Sequence, residues 1–212
     1  MLIIGICGAS GSGKTTLAEE LARRLGDRCV YLKQDAYYRD HAYLPFEERC
    51  RVNYDEPEVF EHDVLYADLV ALKRERSIAR KGYDYAAHKR ADPGDPIQPA
   101  EVVILEGIHA FYDERVRGLM EMRIFIQVDP DICLLRRVRR DINERGRDVE
   151  SVARQYVETV KPMYERYIRN YASYADIILA NGGRNPRFVD MLMLYIDSRR
   201  EPLGGAAPET PA

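Results

Sequence analysis

A chain of 212 residues, 46% hydrophobic and 32% charged, suits one globular domain with a substantial core and room for an inserted lobe. Its formal net charge of -3 offers no general nucleic-acid-binding surface, so any anion has to be held by local charge. No stretch approaches the roughly 18 apolar residues of a membrane span, and the apolar start MLIIGIC meets glycine too early for a signal peptide, so a cytoplasmic protein is expected.

Leu2–Cys7 reads as a buried strand ended by glycine. From Lys14 to Leu25 the positions Leu17, Leu21 and Leu25 recur at helical spacing, and Gly26 stops the helix. "CVYLKQD" is a second short strand that closes at Asp35, and "HDVLYADLVALKRE" is an amphipathic helix with Val64, Leu65, Leu69 and Leu72 on its apolar side. The loop "ADPGDPIQPAE" leads into a third buried strand, "VVILEG". "MRIFIQV" and "ADIILA" are the fourth and fifth strands, and between them helices are expected from about Asp131 to Glu144 and from Asp148 to about Arg169. "NPRFVDMLMLYIDSR" closes the pattern as a helix, and the small, proline-rich tail 201–212 is expected to be disordered.

Strands alternating with helices predict an α/β fold, a parallel sheet covered by helices on both faces with its ligands at the carboxyl ends of the strands. Residues 1–200 form one domain on this reading, with an acceptor-binding lobe at about 36–99, where little strand pattern is visible, and a lid at about 136–150. Cys7, Cys29, Cys50 and Cys133 lie far apart with no C-x-x-C pair and no zinc spacing, as expected of reduced thiols.

Gly8-Ala9-Ser10-Gly11-Ser12-Gly13-Lys14-Thr15, followed by Thr16, matches G-x-x-x-x-G-K-[ST] between a strand and a helix. Glycines let successive backbone N–H groups turn inward around phosphate oxygens, and the helix points its positive end at the same place. Lys14 is placed to reach the outer phosphates, and the Thr15 hydroxyl to ligate Mg²⁺. The loop therefore holds a nucleoside triphosphate. A dinucleotide fingerprint is excluded because its third glycine is missing, and the chain has no Asn-Lys pair for the guanine-reading segment of a GTPase switch.

Asp35, at the end of the second strand, is positioned to accept the proton of an attacking hydroxyl and to face the metal; alone, such an Asp is as often a capping residue. Glu106 ends "VVILEG", where an acidic residue orients Mg²⁺ water in P-loop proteins. In "RRVRRDINERGR", Ile132, Leu135, Val138 and Ile142 share one helix face and Arg136, Arg137 and Arg140 lie opposite, with Arg145 and Arg147 flanking Gly146. Such a basic segment is either a solvated face or a lid that screens a transferring phosphoryl group.

Taken together, "GASGSGKTT", "QDAYY", "LPFEER", "NYDEP", "YDYAAHKR", "LEGI", "YDERVRGLM" and "RRDINERGRDVESVARQY" resemble the uridine (uridine–cytidine) kinase family, within the wider group that holds phosphoribulokinase and bacterial pantothenate kinase. The resemblance implies transfer of the γ-phosphate of ATP or GTP, with Mg²⁺, to the 5′-hydroxyl of uridine or cytidine in pyrimidine salvage. It makes Asp35 the catalytic base and places Thr15, Asp35 and Glu106 on the metal side. Tyr38 lines the nucleoside pocket, Asp55 holds ribose hydroxyls with Tyr54 beside it, Tyr83 and His88 contact the base, and Tyr85 is an aromatic wall. Arg137 and Gln155 touch the nucleoside, and Arg140, Arg145 and Arg147 face the triphosphate with Lys14. A histidine at the position of His88 is associated with accepting both nucleosides. The resemblance also implies a homo-oligomer, with neither nucleic acid nor membrane as partner. Two features depart from the family pattern: Arg80-Lys81-Gly82 precedes "YDY" where an apolar-Pro lead is usual, and His109 follows "LEGI" as a neighbour of the site. The alternatives are a related kinase acting on a sugar phosphate, which needs a further cationic site and no aromatic slot, and a nucleotide-dependent switch.

Overall fold

The computed structural model describes residues 1–91 and 94–199, so the tail expected to be disordered lies outside the described residues. Strands β1 (Leu2–Gly8), β2 (Cys29–Lys33), β5 (Val102–Glu106), β6 (Met122–Gln127) and β7 (Ile177–Ala180) form a five-stranded sheet in the order β2-β5-β1-β6-β7. Every pairing in it is parallel. Alternate residues feed opposite faces: Ile3, Cys7, Val103 and Leu105 enter one core, while Ile4, Ile6, Val102 and Ile104 enter the other. Burial on both faces is why these strands read as unbroken apolar runs.

One face is covered by helix α1 (Lys14–Leu25) through Leu17, Leu21 and Leu25, and by helix α8 (Pro186–Ser198) through Leu192 and Ile196. The other receives Leu65, Leu69 and Leu72 of helix α3 (His62–Lys73) together with Tyr37, Phe60 and Phe111. Between α1 and α3, a four-residue helix α2 (Phe46–Arg49) belongs to the long excursion after β2. Beyond α3, two-residue strands β3 (Tyr83–Asp84) and β4 (Lys89–Arg90) make an antiparallel hairpin. A short helix α4 (Glu114–Arg117) precedes β6.

Three expectations are corrected. The second strand stops at Lys33, and Gln34–Tyr37 is a 3-10 turn, so Asp35 stands just beyond the strand end. The helix expected over 148–169 is broken: α6 (Val149–Gln155) passes into a π turn at Tyr156–Val160, then α7 (Lys161–Arg166), then a 3-10 segment Ile168–Tyr174. Pro162 lacks the N–H that would continue the α ladder, and the widened turn absorbs the mismatch. On α5 (Pro130–Arg145), the buried positions are Cys133, Arg137 and Asp141, whereas Ile132 and Leu135 are exposed. Polar groups win the inner side of this helix because four guanidinium groups meet one carboxylate there.

Candidate active site

The loop from Gly8 to Gly13 leaves the carboxyl end of β1 and enters α1 at Lys14. Gly13 takes φ +96, and a Cβ there would lie 2.8 Å from the backbone nitrogen of Gly183, so the loop closes against the chain after β7 only with glycine. Ser12 donates its N–H to Ala9 O at 3.0 Å, and Lys14 Nζ folds back to the same carbonyl at 3.5 Å. Thr15 follows at the first turn of α1, where its hydroxyl donates to Glu106 Oε1 at 3.1 Å.

Glu106 ends β5 beside β1, which brings its carboxylate to the phosphate loop. Tyr31 donates to the same Oε1 at 3.2 Å, while Oε2 is buried with no protein partner. Burial raises the Glu106 carboxyl above its ordinary value against the lowering influence of Lys14. An orphaned carboxylate oxygen beside a threonine hydroxyl fits Mg²⁺, a hard cation that is held by one or two carboxylates plus substrate phosphates and its own waters. Among the described residues no cluster of three His, Cys, Asp or Glu side chains could hold a metal without such help.

The aromatics that the sequence singles out are contiguous. Tyr38 lies 5.3 Å from Tyr54 and 4.8 Å from Tyr83 between ring centroids, and Tyr83 lies 5.4 Å from Tyr85. The His88 ring stacks on Tyr54 at 5.2 Å, its Nδ1 is buried with no partner, and its backbone takes φ +47. A non-glycine residue in the left-handed region is held there by its surroundings, here a hairpin turn in which Asp84 Oδ1 accepts from the N–H groups of Ala86 and Ala87. Burial and the nearby Arg147, Arg49 and Arg145 lower the His88 pKa, which keeps the imidazole neutral. Tyr85 donates its hydroxyl to Asp35 Oδ2 at 2.8 Å, which brings the hairpin and the candidate base together.

Asp55 is buried next to this wall. Its Oδ2 accepts from Thr159 at 3.0 Å, and its Oδ1 faces Arg137 at 3.9 Å. Burial raises its pKa more than Arg137 and Thr159 lower it. Arg137 donates to Ser10 of the phosphate loop at 3.0 Å and to Gln155 at 2.9 Å, so one side chain joins the two halves of the site.

The arginines expected to face the triphosphate share one acidic anchor. Arg140, Arg145 and Arg147 converge with Arg137 on the wholly buried Asp141, at 2.8, 3.5, 3.8 and 3.5 Å respectively. Arg147 also donates to Gln155 and to the Ser151 hydroxyl.

Sequence reasoning missed Asp141, Thr159, Gln34 and Tyr171. Gln34 and Tyr171 act through His109, whose backbone N–H donates to Gln34 Oε1 at 2.9 Å. The imidazole Nε2 lies 2.7 Å from the Asp55 carbonyl and Nδ1 lies 2.8 Å from the Tyr171 hydroxyl. Of the departing "ARKG" lead, Lys81 pairs with Asp68 at 2.5 Å and Arg80 donates to the Asp95 carbonyl at 3.2 Å, which ties the approach of the hairpin to α3.

Residues 3–186 match the phosphoribulokinase/uridine kinase family. A uridine kinase of Leuconostoc citreum is 48% identical over 194 residues, covering 90% of this chain and 92% of the relative. Another, of a Geobacillus species, is 44% identical over 196 residues, covering 92% and 93%. Among solved structures, phosphoribulokinase from Rhodobacter spheroides shares the fold with a TM-score of 0.61 at 18% identity, covering 87% of this chain and 73% of that one.

Proposed function

The chain belongs to the phosphoribulokinase/uridine kinase family, and from that premise we propose that it transfers the γ-phosphate of ATP or GTP to the 5′-hydroxyl of uridine or cytidine, giving UMP or CMP in pyrimidine salvage. The observation that carries the reading is the continuous wall from His88 through Tyr54, Tyr38, Tyr83 and Tyr85 to Asp35. A planar base needs such a wall, and a sugar phosphate does not.

In this reading the lobe at about 36–99 holds the acceptor and the segment at about 136–150 is the lid. The backbone of Gly8–Thr15 cradles the phosphates, with Ala9, Ser10, Gly11 and Ser12 in the loop and Thr16 on the first turn of α1, and Lys14 unfolds from Ala9 to meet the outer ones. Thr15, Glu106 and Asp35 would hold Mg²⁺, which when bound neutralises charge on the phosphate oxygens. Asp55 accepts from the ribose hydroxyls, and neutral His88 offers its free Nδ1 to the edge of the base. Asp35 takes the proton of the 5′-hydroxyl as that oxygen bonds to the γ-phosphorus and the bond from that phosphorus to the β–γ bridging oxygen breaks, the nucleoside diphosphate leaving with its electron pair, while Arg140, Arg145 and Arg147 screen the transferring group. The protein acts on these small molecules in the cytoplasm as a homo-oligomer, and among its described residues no helix is long and apolar enough to cross a membrane.

A coupled ADP-release assay over uridine, cytidine, purine nucleosides, ribulose 5-phosphate and pantothenate tests this directly. Acceleration by uridine or cytidine alone is expected. Acceleration by ribulose 5-phosphate instead would replace the nucleoside reading with the sugar-phosphate one, and slow hydrolysis indifferent to every acceptor would point to a switch.

A further inference from the structure

Tyr85 sits where it can do more than line a pocket. Its hydroxyl donates to Asp35 Oδ2 at 2.8 Å, and the Arg145 guanidinium lies over its ring at 4.3 Å from the centroid. Arg145 in turn faces Asp141 at 3.5 Å. The chain Asp141–Arg145–Tyr85–Asp35 thus links the basic helix α5 to the candidate base through one tyrosine.

A carboxylate at the γ-phosphate has no intrinsic preference for a nucleoside hydroxyl over water. If it accepts a proton from water, the water oxygen bonds to the γ-phosphorus and the bond from that phosphorus to the β–γ bridging oxygen breaks. ADP leaves with the electron pair of that bond, inorganic phosphate forms, and the proton passes to the carboxylate and then to solvent. A kinase has to suppress this reaction. A hydroxyl donor already seated on the carboxylate competes with water for it.

Resting on the assignment of Asp35 as base, we propose that Tyr85 is a positioning residue that guards Asp35 against water, yielding it only to the hydroxyl of a bound nucleoside. The geometry supplies the release. Tyr83, Tyr85 and His88 belong to one hairpin, the Tyr83 and Tyr85 rings meet edge to face at 5.4 Å, and Asp84 Oδ1 clamps the turn by accepting from the N–H groups of Ala86 and Ala87. A nucleoside that engages Tyr83 and His88 therefore displaces Tyr85 from Asp35 as part of the same rigid turn. Acceptor binding and exposure of the base are one event.

The test is the ratio of ADP released without nucleoside to ADP released with saturating uridine, each measured with Mg²⁺–ATP. Tyr85→Phe keeps the ring and the Arg145 contact and removes only the hydroxyl. Its ratio should rise about tenfold through faster ADP release without nucleoside, the factor that one hydrogen bond to a charged group is worth, and adding Tyr85→Phe to Asp35→Asn should bring no such rise in the nucleoside-free rate over Asp35→Asn alone. An unchanged ratio in Tyr85→Phe overturns the proposal, as does a rise that survives in the double variant. Asp35→Asn alone separates the two levels: full uridine turnover in that variant removes the base assignment itself, whereas loss of turnover together with an unchanged Tyr85→Phe ratio removes only the guard.

Discussion

His109 shows how a single side chain ties distant segments together beside Asp55. The Asp55 carbonyl can only accept, so Nε2 carries the proton, Nδ1 is the acceptor, and the Tyr171 hydroxyl donates to it. Burial lowers the His109 pKa to about 4 and keeps it neutral. The folded pKa therefore lies below the unfolded value of about 6.5, so the associated stability is complete above that value and is lost as the pH falls through this window toward about 4. His109→Gln has no such proton linkage. In denaturant titrations, the stability advantage of the wild type over His109→Gln should narrow by roughly 2–3 kcal/mol between about pH 7.5 and about pH 4.5. A gap independent of pH would show that His109 is not held neutral. The sequence marks His109 as unusual, but only the fold reveals its role, because Asp55 is 54 positions away and Tyr171 is 62.

At the scale of elements, α5 carries the least expected arrangement. In sequence its arginine-rich run reads either as a solvated face or as a lid over a transferring phosphoryl group. Here Asp141 has no exposed surface and gathers Arg137, Arg140, Arg145 and Arg147 into one cluster. Asp141→Asn leaves these guanidinium groups facing one another around a neutral amide, and should lower the unfolding free energy by about 3 kcal/mol, as for other broken buried pairs. A stability change within experimental error would mean that the cluster is loose in solution. The start of the chain was far more legible. The β1-to-α1 segment combines a continuous apolar strand, glycines at positive φ and Leu17, Leu21 and Leu25 at helical spacing, and the helix begins at Lys14 and ends at Leu25 as read from the pattern. Strands β3 and β4, at two residues each, are too short to leave a period, so only the resemblance in "YDYAAHKR" pointed to their content.

For the whole molecule, the parallel sheet sets the design. Its order puts β1 at the centre with β5 and β6 beside it, so the phosphate loop, Glu106 and the base of α5 meet at one end of the strands. The excursion between β2 and β5 then folds back over that end and delivers Tyr38, Asp55, Tyr85 and His88. Strand-and-helix alternation predicted the first part of this design. The second depends on contacts between segments that no local pattern encodes, such as Thr159 on Asp55 across 104 positions. The proposed reaction depends on the opposition of Asp35 and a bound nucleotide across this cleft. The most direct check is to measure uridine-dependent turnover and ATP binding side by side in Asp35→Asn. Turnover should fall by roughly 10²–10⁴-fold, the usual contribution of a general base, with ATP affinity nearly unchanged; turnover close to that of the wild type would contradict it.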